Sequence, residues 1–144
     1  ETATPAARLH QPEPRVELGR RLRTIASAAM DVSDGLLTDA EKLCKASDCG
    51  AVIHADALPS SRPMRALFDR NACGRYQLAG GDDYELIFTM PPHRVGELSA
   101  IRATIPVTQI GAIVADRGVR CERNGQPFTP ESAGYDHFAA DVSQ

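Results

Sequence analysis

Apolar residues recur with helical spacing in two segments near the start of this 144-residue chain. From Arg15 to about Ser27 they alternate with arginines, which predicts a helix. Residues 28–32 form a short apolar segment, which is predicted to be either the end of that helix or a brief strand. A stronger helix is predicted through about Ser47 and ends near Gly50, the expected left-handed residue after its last turn. Its apolar stripe consists of Leu36, Leu37, Ala40, Leu43 and Cys44.

Apolar runs with strand periodicity dominate the rest of the chain. Strands are predicted at 51–55, 84–90, 107–114 and 119–123, short helices at 59–70 and 91–103, and a loop at 71–83. Asn124-Gly125 after the last run is a hairpin signal, which argues against a purely parallel sheet. The pattern predicts one α+β domain of the layered α/β kind, with a mixed sheet flanked by helices. Three prolines in residues 1–14 indicate a linker or lead-in, so the domain is expected at 15–144.

Composition narrows the function classes. The chain is 42% hydrophobic and 24% charged, which is typical of globular proteins, and no apolar run approaches the ~20 residues of a membrane helix. A net charge of −3 argues against a nucleic-acid partner. The four cysteines form no CxxC pair and no zinc-like spacing with histidines, so we expect buried or half-buried thiols in a reducing, cytoplasmic setting.

The first candidate site is the segment Asp31-Val32-Ser33-Asp34-Gly35, directly before the second helix. Two carboxylates flanking a hydroxyl could hold Mg²⁺, and free N–H groups at a helix start favour phosphate. The alternative is that Ser33 or Asp34 merely caps the helix. Spacing alone favours capping, although Asp31 ends an apolar stretch, where a charge needs a reason.

The second candidate site is Gly80-Gly81-Asp82-Asp83-Tyr84-Glu85. Two glycines allow the backbone to approach a ligand closely, and three acids in four residues repel one another unless a cation or donors compensate them. The alternative, an exposed acidic turn, is equally compatible with the spacing. The chain has no GxxxxGK loop and no GxGxxG after a strand, and Ser33 and Cys44 have no obvious histidine partner. No catalytic nucleophile is therefore assigned.

The segments DVSDGLLTD and GGDDYELIF, about fifty residues apart, and GYDHF near the end resemble the C-terminal half of the thiamine-monophosphate kinase family. That family is part of the superfamily of aminoimidazole ribonucleotide synthetase and selenophosphate synthetase. The likeness runs from about Leu9 to Phe138, and it includes the fold of the C-terminal domain.

The resemblance implies an ATP-dependent kinase that transfers the γ-phosphoryl group to thiamine monophosphate, with thiamine diphosphate as product. It implies direct, Mg²⁺-assisted in-line transfer, for which positioning and charge neutralisation matter most. The resemblance further implies that Asp31 and Asp34 bind Mg²⁺, that Ser33 contacts ATP, and that Asp82 and Phe138 lie at the thiamine substrate. A homodimer is expected for the full-length enzyme.

One departure is large: the family's N-terminal domain, with further metal-binding aspartates and most of the nucleotide surface, is missing from this sequence. We therefore expect an excised C-terminal domain that is inactive when isolated. Two alternatives stay open. One is another ATP-using enzyme of the superfamily, acting on a purine precursor or in hydrogenase maturation. The other is a non-catalytic module that packs against a partner.

Overall fold

The computed structural model describes residues 13–129, and the elements of this part alternate between helices and strands. The α-helices are α1 (Val16–Leu22), α2 (Leu36–Ala46), α3 (Arg62–Leu67), α4 (Arg70–Ala79) and α5 (Ser99–Arg102). The strands are β1 (Ala28–Asp31), β2 (Gly50–His54), β3 (Leu86–Thr89), β4 (Gly111–Val114), β5 (Gly118–Arg123) and β6 (Gln126–Phe128). Two 3₁₀ helices span Ala55–Ala57 and Pro92–Leu98.

The strands form two sheets. One is four-stranded in the order β4-β2-β5-β6, where β2 and β5 are parallel and the other neighbours antiparallel. The other is an antiparallel ribbon of β1 and β3, with Asp31 opposite Leu86. Strand β2 is buried from Gly50 to Ile53, as its uninterrupted apolar run predicts for a strand with neighbours on both sides. The predicted mixed sheet flanked by helices is confirmed.

Two clusters of buried side chains meet at β3. The first consists of Leu18, Leu22, Ile25, Leu98 and Ile101, and the second of Leu37, Ala40, Ile53, Leu78 and Cys121. Leu86 and Phe88 pack against the first cluster, whereas Ile87 packs against the second. Because successive side chains of a strand point to opposite faces, β3 separates the two clusters and contributes to both.

The predicted hairpin at the end of the sheet is confirmed. Arg123 of β5 lies opposite Gln126 of β6, so the loop is the two residues Asn124 and Gly125. Their φ angles are 52° and 71°, the positive pair that a type I′ turn requires. The Arg123 guanidinium lies 3.8 Å from the centroid of the Phe128 ring, which adds a cation–π contact beside the turn.

The prediction of a loop at 71–83 is wrong for its first part, which belongs to α4. The Asp69 carboxylate accepts a hydrogen bond of 2.7 Å from the Ala72 N–H and so caps the helix. Gly74 and Leu78 are buried along the helix. Asn71 and Gly74 resemble loop residues in the sequence, but tertiary packing outweighs their low helix propensity.

The backbone conformation decides two further points, the structure of residues 28–31 and the residue that ends α2. Residues 28–31 form a strand, not the end of α1. The left-handed residue after α2 is Asp48, with φ 52°, and not Gly50. Gly50 lies in β2, where a Cβ atom would be 2.0 Å from the Asp116 carbonyl oxygen, so glycine is needed there for close packing of backbone.

Within residues 13–129, no helix has the length and apolar character needed to cross a membrane. All four cysteines carry free thiols; three are buried, and Cys49 is half-buried. The expected burial of the thiols is confirmed.

Replacing Leu78 by alanine tests the second cluster. Leu78 is 0% exposed, so Leu78→Ala should lower the free energy of unfolding by about 2–5 kcal/mol through lost burial and a cavity. Denaturant unfolding measures this change. Leu67→Ala is the control, because Leu67 is 75% exposed and its truncation should change stability by at most about 0.5 kcal/mol. Equal losses for both variants would contradict the assigned core.

Candidate functional site

The two acidic motifs lie side by side in the structure. Backbone pairing of β1 with β3 continues past the strand ends, since the Val32 N–H donates to the Glu85 carbonyl oxygen at 2.8 Å. The Tyr84 N–H donates to the Val32 carbonyl oxygen at 3.0 Å, and the Asp82 N–H donates to the Ser33 carbonyl oxygen at 2.9 Å. Two segments about fifty residues apart in sequence therefore form one surface.

Glycines allow this close contact. Gly35 has φ 115°, and a Cβ atom on it would lie 3.0 Å from the Ala79 carbonyl oxygen. A Cβ atom on Gly81 would lie 2.6 Å from the Ser33 carbonyl oxygen. The sequence predicts close approach of a ligand at Gly80 and Gly81; what Gly81 approaches in the described structure is the neighbouring motif.

Behind the first motif lies Asp39 of α2, a side chain that is 0% exposed. Its Oδ2 atom accepts hydrogen bonds from the backbone N–H groups of Ser33 at 2.8 Å and Asp34 at 3.0 Å. Its Oδ1 atom accepts from the Lys42 ammonium at 2.8 Å. Lys42 also donates to the Asp34 carboxylate, so one cation bridges two acids. Hydrogen bonds to Asp34 and then Asp39 raise the pKa of Lys42 above its usual value.

These contacts overturn the capping alternative for Ser33 and Asp34. The residue at the helix start is Gly35, and no side chain caps it. The Ser33 hydroxyl instead donates to Asp34 Oδ1 at 3.2 Å. The backbone N–H groups of Ser33 and Asp34 are not free for phosphate, because Asp39 already accepts both. The expectation of phosphate at the N–H groups of the helix start itself stays a prediction.

Asp31 ends β1 and is exposed beside this loop. Among residues 13–129, its side chain has no hydrogen bond or ion pair. Its charge helps to raise the pKa of Tyr84, although the hydrogen bond from Tyr84 to Asp82 contributes most to that rise. An exposed carboxylate at the end of a strand is accessible to a cation or to a polar ligand.

The second motif has an unusual backbone. Asp82 and Tyr84 have φ angles of 62° and 50°; aspartate tolerates this left-handed conformation, but a bulky residue such as tyrosine seldom adopts it. The Tyr84 hydroxyl donates to Asp82 Oδ1 at 3.2 Å. Loss of solvation and the nearby charge of Glu85 raise the pKa of Asp83 above its usual value. Left-handed residues and a perturbed carboxyl are features that cluster at ligand sites.

Glu85 has a structural partner that the sequence pattern does not reveal. Arg15, directly before α1, donates to its two oxygens, from Nε to Oε2 at 2.9 Å and from Nη2 to Oε1 at 2.6 Å. The hydrogen bond to Glu85 raises the pKa of Arg15 further. A bidentate pair of this kind fixes orientation as well as charge, so it holds the end of the acidic loop against α1.

The sequence profile described as AIR synthase related protein, C-terminal domain, matches residues 5–124 of the chain. The chain belongs to this family.

Similar proteins within the family are thiamine-monophosphate kinases. The enzyme of that name from Salmonella typhimurium is 46% identical over 132 residues, which cover 90% of this chain and 41% of the relative. A crystal structure of thiamine-monophosphate kinase from Stenotrophomonas maltophilia has a TM-score of 0.76 and 40% identity, covering 87% of this chain and 42% of that chain. The structure of AaThiL complexed with AMPPCP and TMP has a TM-score of 0.73 and 28% identity; the match covers 96% of this chain and 44% of that chain. This chain thus spans about two fifths of the length of such relatives.

The AIR synthase related domain offers carboxylates for a metal, but not a complete set of ligands. Within the part of the chain that the structure describes, no three His, Cys, Asp or Glu side chains come together as metal ligands would. The Asp34 carboxylate is also held by Lys42. Mg²⁺ at nucleotide sites usually takes one or two carboxylates plus substrate phosphates and water, and Asp31 with Asp34 fits that smaller share.

Of the two residues predicted to contact the substrate, Asp82 is among the described residues and Phe138 is not. Asp82 lies in the loop that pairs with Ser33, so it adjoins the first motif. Phe138 and the rest of GYDHF lie outside the described residues, and the role predicted for Phe138 stays a prediction. Asp39, Lys42 and Arg15 were missed, because each acts through contacts that no short motif records.

Gly81→Ala tests the close contact of the two motifs. The added methyl group would meet the Ser33 carbonyl oxygen, so we expect a loss of about 1–3 kcal/mol in the free energy of unfolding. Thermal or denaturant unfolding gives the value. Gly96→Ala is the matched control, because a Cβ atom at Gly96 has nothing within 4 Å. A Gly81→Ala variant as stable as this control would refute the proximity.

Proposed function

We propose that this chain is the C-terminal domain of an ATP-dependent kinase that phosphorylates thiamine monophosphate to thiamine diphosphate. The observation that carries the proposal is the pairing of the two acidic motifs into one surface, in a chain whose relatives are named thiamine-monophosphate kinases. Because these relatives are named thiamine-monophosphate kinases, we favour thiamine monophosphate over a purine precursor as the substrate. A structural neighbour complexed with AMPPCP and TMP supports binding of a nucleotide in this fold.

The residues divide between the two substrates. Asp31 and Asp34 would hold Mg²⁺ together with the phosphates of ATP, and Ser33 would contact ATP. Mg²⁺, when bound, neutralises charge that develops on the transferring phosphoryl group. Asp82 and Phe138 would bind the thiamine part, with the carboxylate facing its cationic ring system and the aromatic ring available for stacking. The Tyr84 hydroxyl orients the Asp82 carboxylate for this task.

The rest of the site would come from an N-terminal domain. The relatives are more than twice as long as this chain, and Asp31 with Asp34 makes an incomplete metal site. We propose that residues 1–14 are the link to that domain, that 15–144 are inactive alone, and that the full-length enzyme is a homodimer. A cytoplasmic location fits the four free thiols and the need for ATP.

Asp31→Asn in the full-length protein tests the metal role. The amide keeps the size of the side chain but loses its charge, so turnover should fall by at least about tenfold, equivalent to 1.4 kcal/mol of transition-state stabilisation. Production of thiamine diphosphate at increasing Mg²⁺ measures the effect. Asp116→Asn, an exposed aspartate in the turn between β4 and β5, is the control and should leave turnover unchanged. Full activity of Asp31→Asn at saturating Mg²⁺ would contradict the proposal.

Asp82→Asn tests the acceptor site. If Asp82 faces the thiamine part, the KM for thiamine monophosphate should rise several-fold while the KM for ATP stays within about twofold, since only one substrate loses a contact. Initial rates with each substrate varied in turn separate the two constants. A rise confined to the KM for ATP would mean that the acidic loop has been assigned to the wrong substrate.

A further inference from the structure

The buried carboxylate of Asp39 is not explained by the fold alone. Burying a charge is costly unless it is paired and hydrogen-bonded, and Asp39 has three such contacts, two of them to backbone N–H groups. The side chain makes no apolar contribution that alanine or leucine could not make. The reason for burying this carboxylate is therefore to be sought in the three groups that donate hydrogen bonds to it.

Those groups belong to the first motif and not to the helix. In a capping box, a Glu or Gln side chain in the first turn of a helix accepts the backbone N–H of the N-cap residue. Asp39 instead accepts the N–H groups of Ser33 and Asp34, which precede the helix start at Gly35. Its own N–H remains in the helix, bonded to the Gly35 carbonyl oxygen at 3.0 Å. The side chain thus reaches back and fixes the Ser33–Asp34 peptide.

The second oxygen of Asp39 extends this hold to a side chain. Lys42, one turn further along α2, donates both to Asp39 Oδ1 and to the Asp34 carboxylate. Two carboxylates near one cation attract it from both sides, so the ammonium helps to hold the Asp34 carboxylate beside the Ser33–Asp34 peptide. Lys42 is 48% exposed, so this ion pair borders the solvent beside the loop.

We propose that Asp39 is a positioning residue for the nucleotide half of the site, with Lys42 as its bridging cation. Asp39 holds Ser33 and Asp34 in one geometry before ligand arrives, so that no binding energy is used to order the loop. This inference rests on the proposed function, because it assigns the purpose of the geometry to binding of ATP with Mg²⁺. It requires no direct contact between Asp39 and either substrate.

The test uses Asp39→Asn in the full-length protein and two measurements. Hydrogen exchange should show the Ser33 and Asp34 amides exchanging at least tenfold faster, with amides of the four-stranded sheet unchanged. The dissociation constant for AMPPCP with Mg²⁺ should rise at least tenfold, while the KM for thiamine monophosphate stays within about twofold. Asp69→Asn is the matched control, since it also alters a carboxylate that accepts a backbone N–H, at the start of α4, and should change neither quantity.

The outcomes separate the inference from the proposed function. If the wild-type protein binds no AMPPCP, the proposed function fails, and with it the purpose assigned to Asp39, whatever the exchange data show. If it binds AMPPCP and Asp39→Asn leaves exchange and affinity unchanged, the inference alone is overturned. Equal losses for both substrates with faster exchange everywhere would show a general structural role and would also overturn it.

A second variant covers the case in which Asp39→Asn does not fold. Lys42→Met keeps both backbone contacts of Asp39 and removes the bridging cation, so AMPPCP affinity should fall several-fold. Stability should also fall, because Asp39 Oδ1 loses its cationic partner, so the affinity is measured at a temperature at which the variant is folded. Lys42→Arg should restore most of the loss, because it returns a cation between the two carboxylates. Wild-type affinity in Lys42→Met would count against the inference.

Discussion

The antiparallel pairing of β1 with β3 is the constraint on which the candidate site depends. It continues beyond the strands as hydrogen bonds from the backbone of one motif to that of the other. Each of the two segments alone would be a polar loop at the end of a short strand. Joined, they place a hydroxyl and several carboxylates on one surface, and the contact is close enough to require glycine at position 81.

Charge in this surface is balanced by residues that lie outside the motifs. Lys42 bridges Asp34 and Asp39, and Arg15 pairs with both oxygens of Glu85. Asp31 and Asp82 lack a cationic partner among residues 13–129, although the Tyr84 hydroxyl donates to Asp82. The carboxylates thus fall into two groups: those that hold the loops in place, and those that remain available to a ligand. Asp31 and Asp82 belong to the second group, whereas Asp34, the proposed partner of Asp31 in binding metal, is also held by Lys42.

The local sequence pattern predicted most helices and strands, but it did not predict the side-chain contacts between distant segments. The stripe of α2, the buried run of β2 and the Asn124-Gly125 turn each carry their signal within a few residues, and each was predicted. The helix α4 was missed because its buried positions include Gly74, whose propensity points the other way. The supports of the site could not be predicted, since Arg15 is 70 residues from Glu85, and Asp39 resembles any acid in a first helical turn. The Asp39 side chain reaches back past the helix start because the loop before the helix passes close to it. The path of that loop cannot be deduced from the order of polar and apolar residues.

The position of β3 between two cores limits how the site can change in evolution. Leu86 and Phe88 face one cluster and Ile87 the other, and the acidic loop leads directly into this strand. A shift of the strand by one residue would exchange its two faces and expose the wrong side chains to both cores. Side chains at the tip of the loop can therefore be exchanged without disturbing either cluster. The strand cannot slide in the same way, so change in this surface is expected at a few loop positions beside a fixed register.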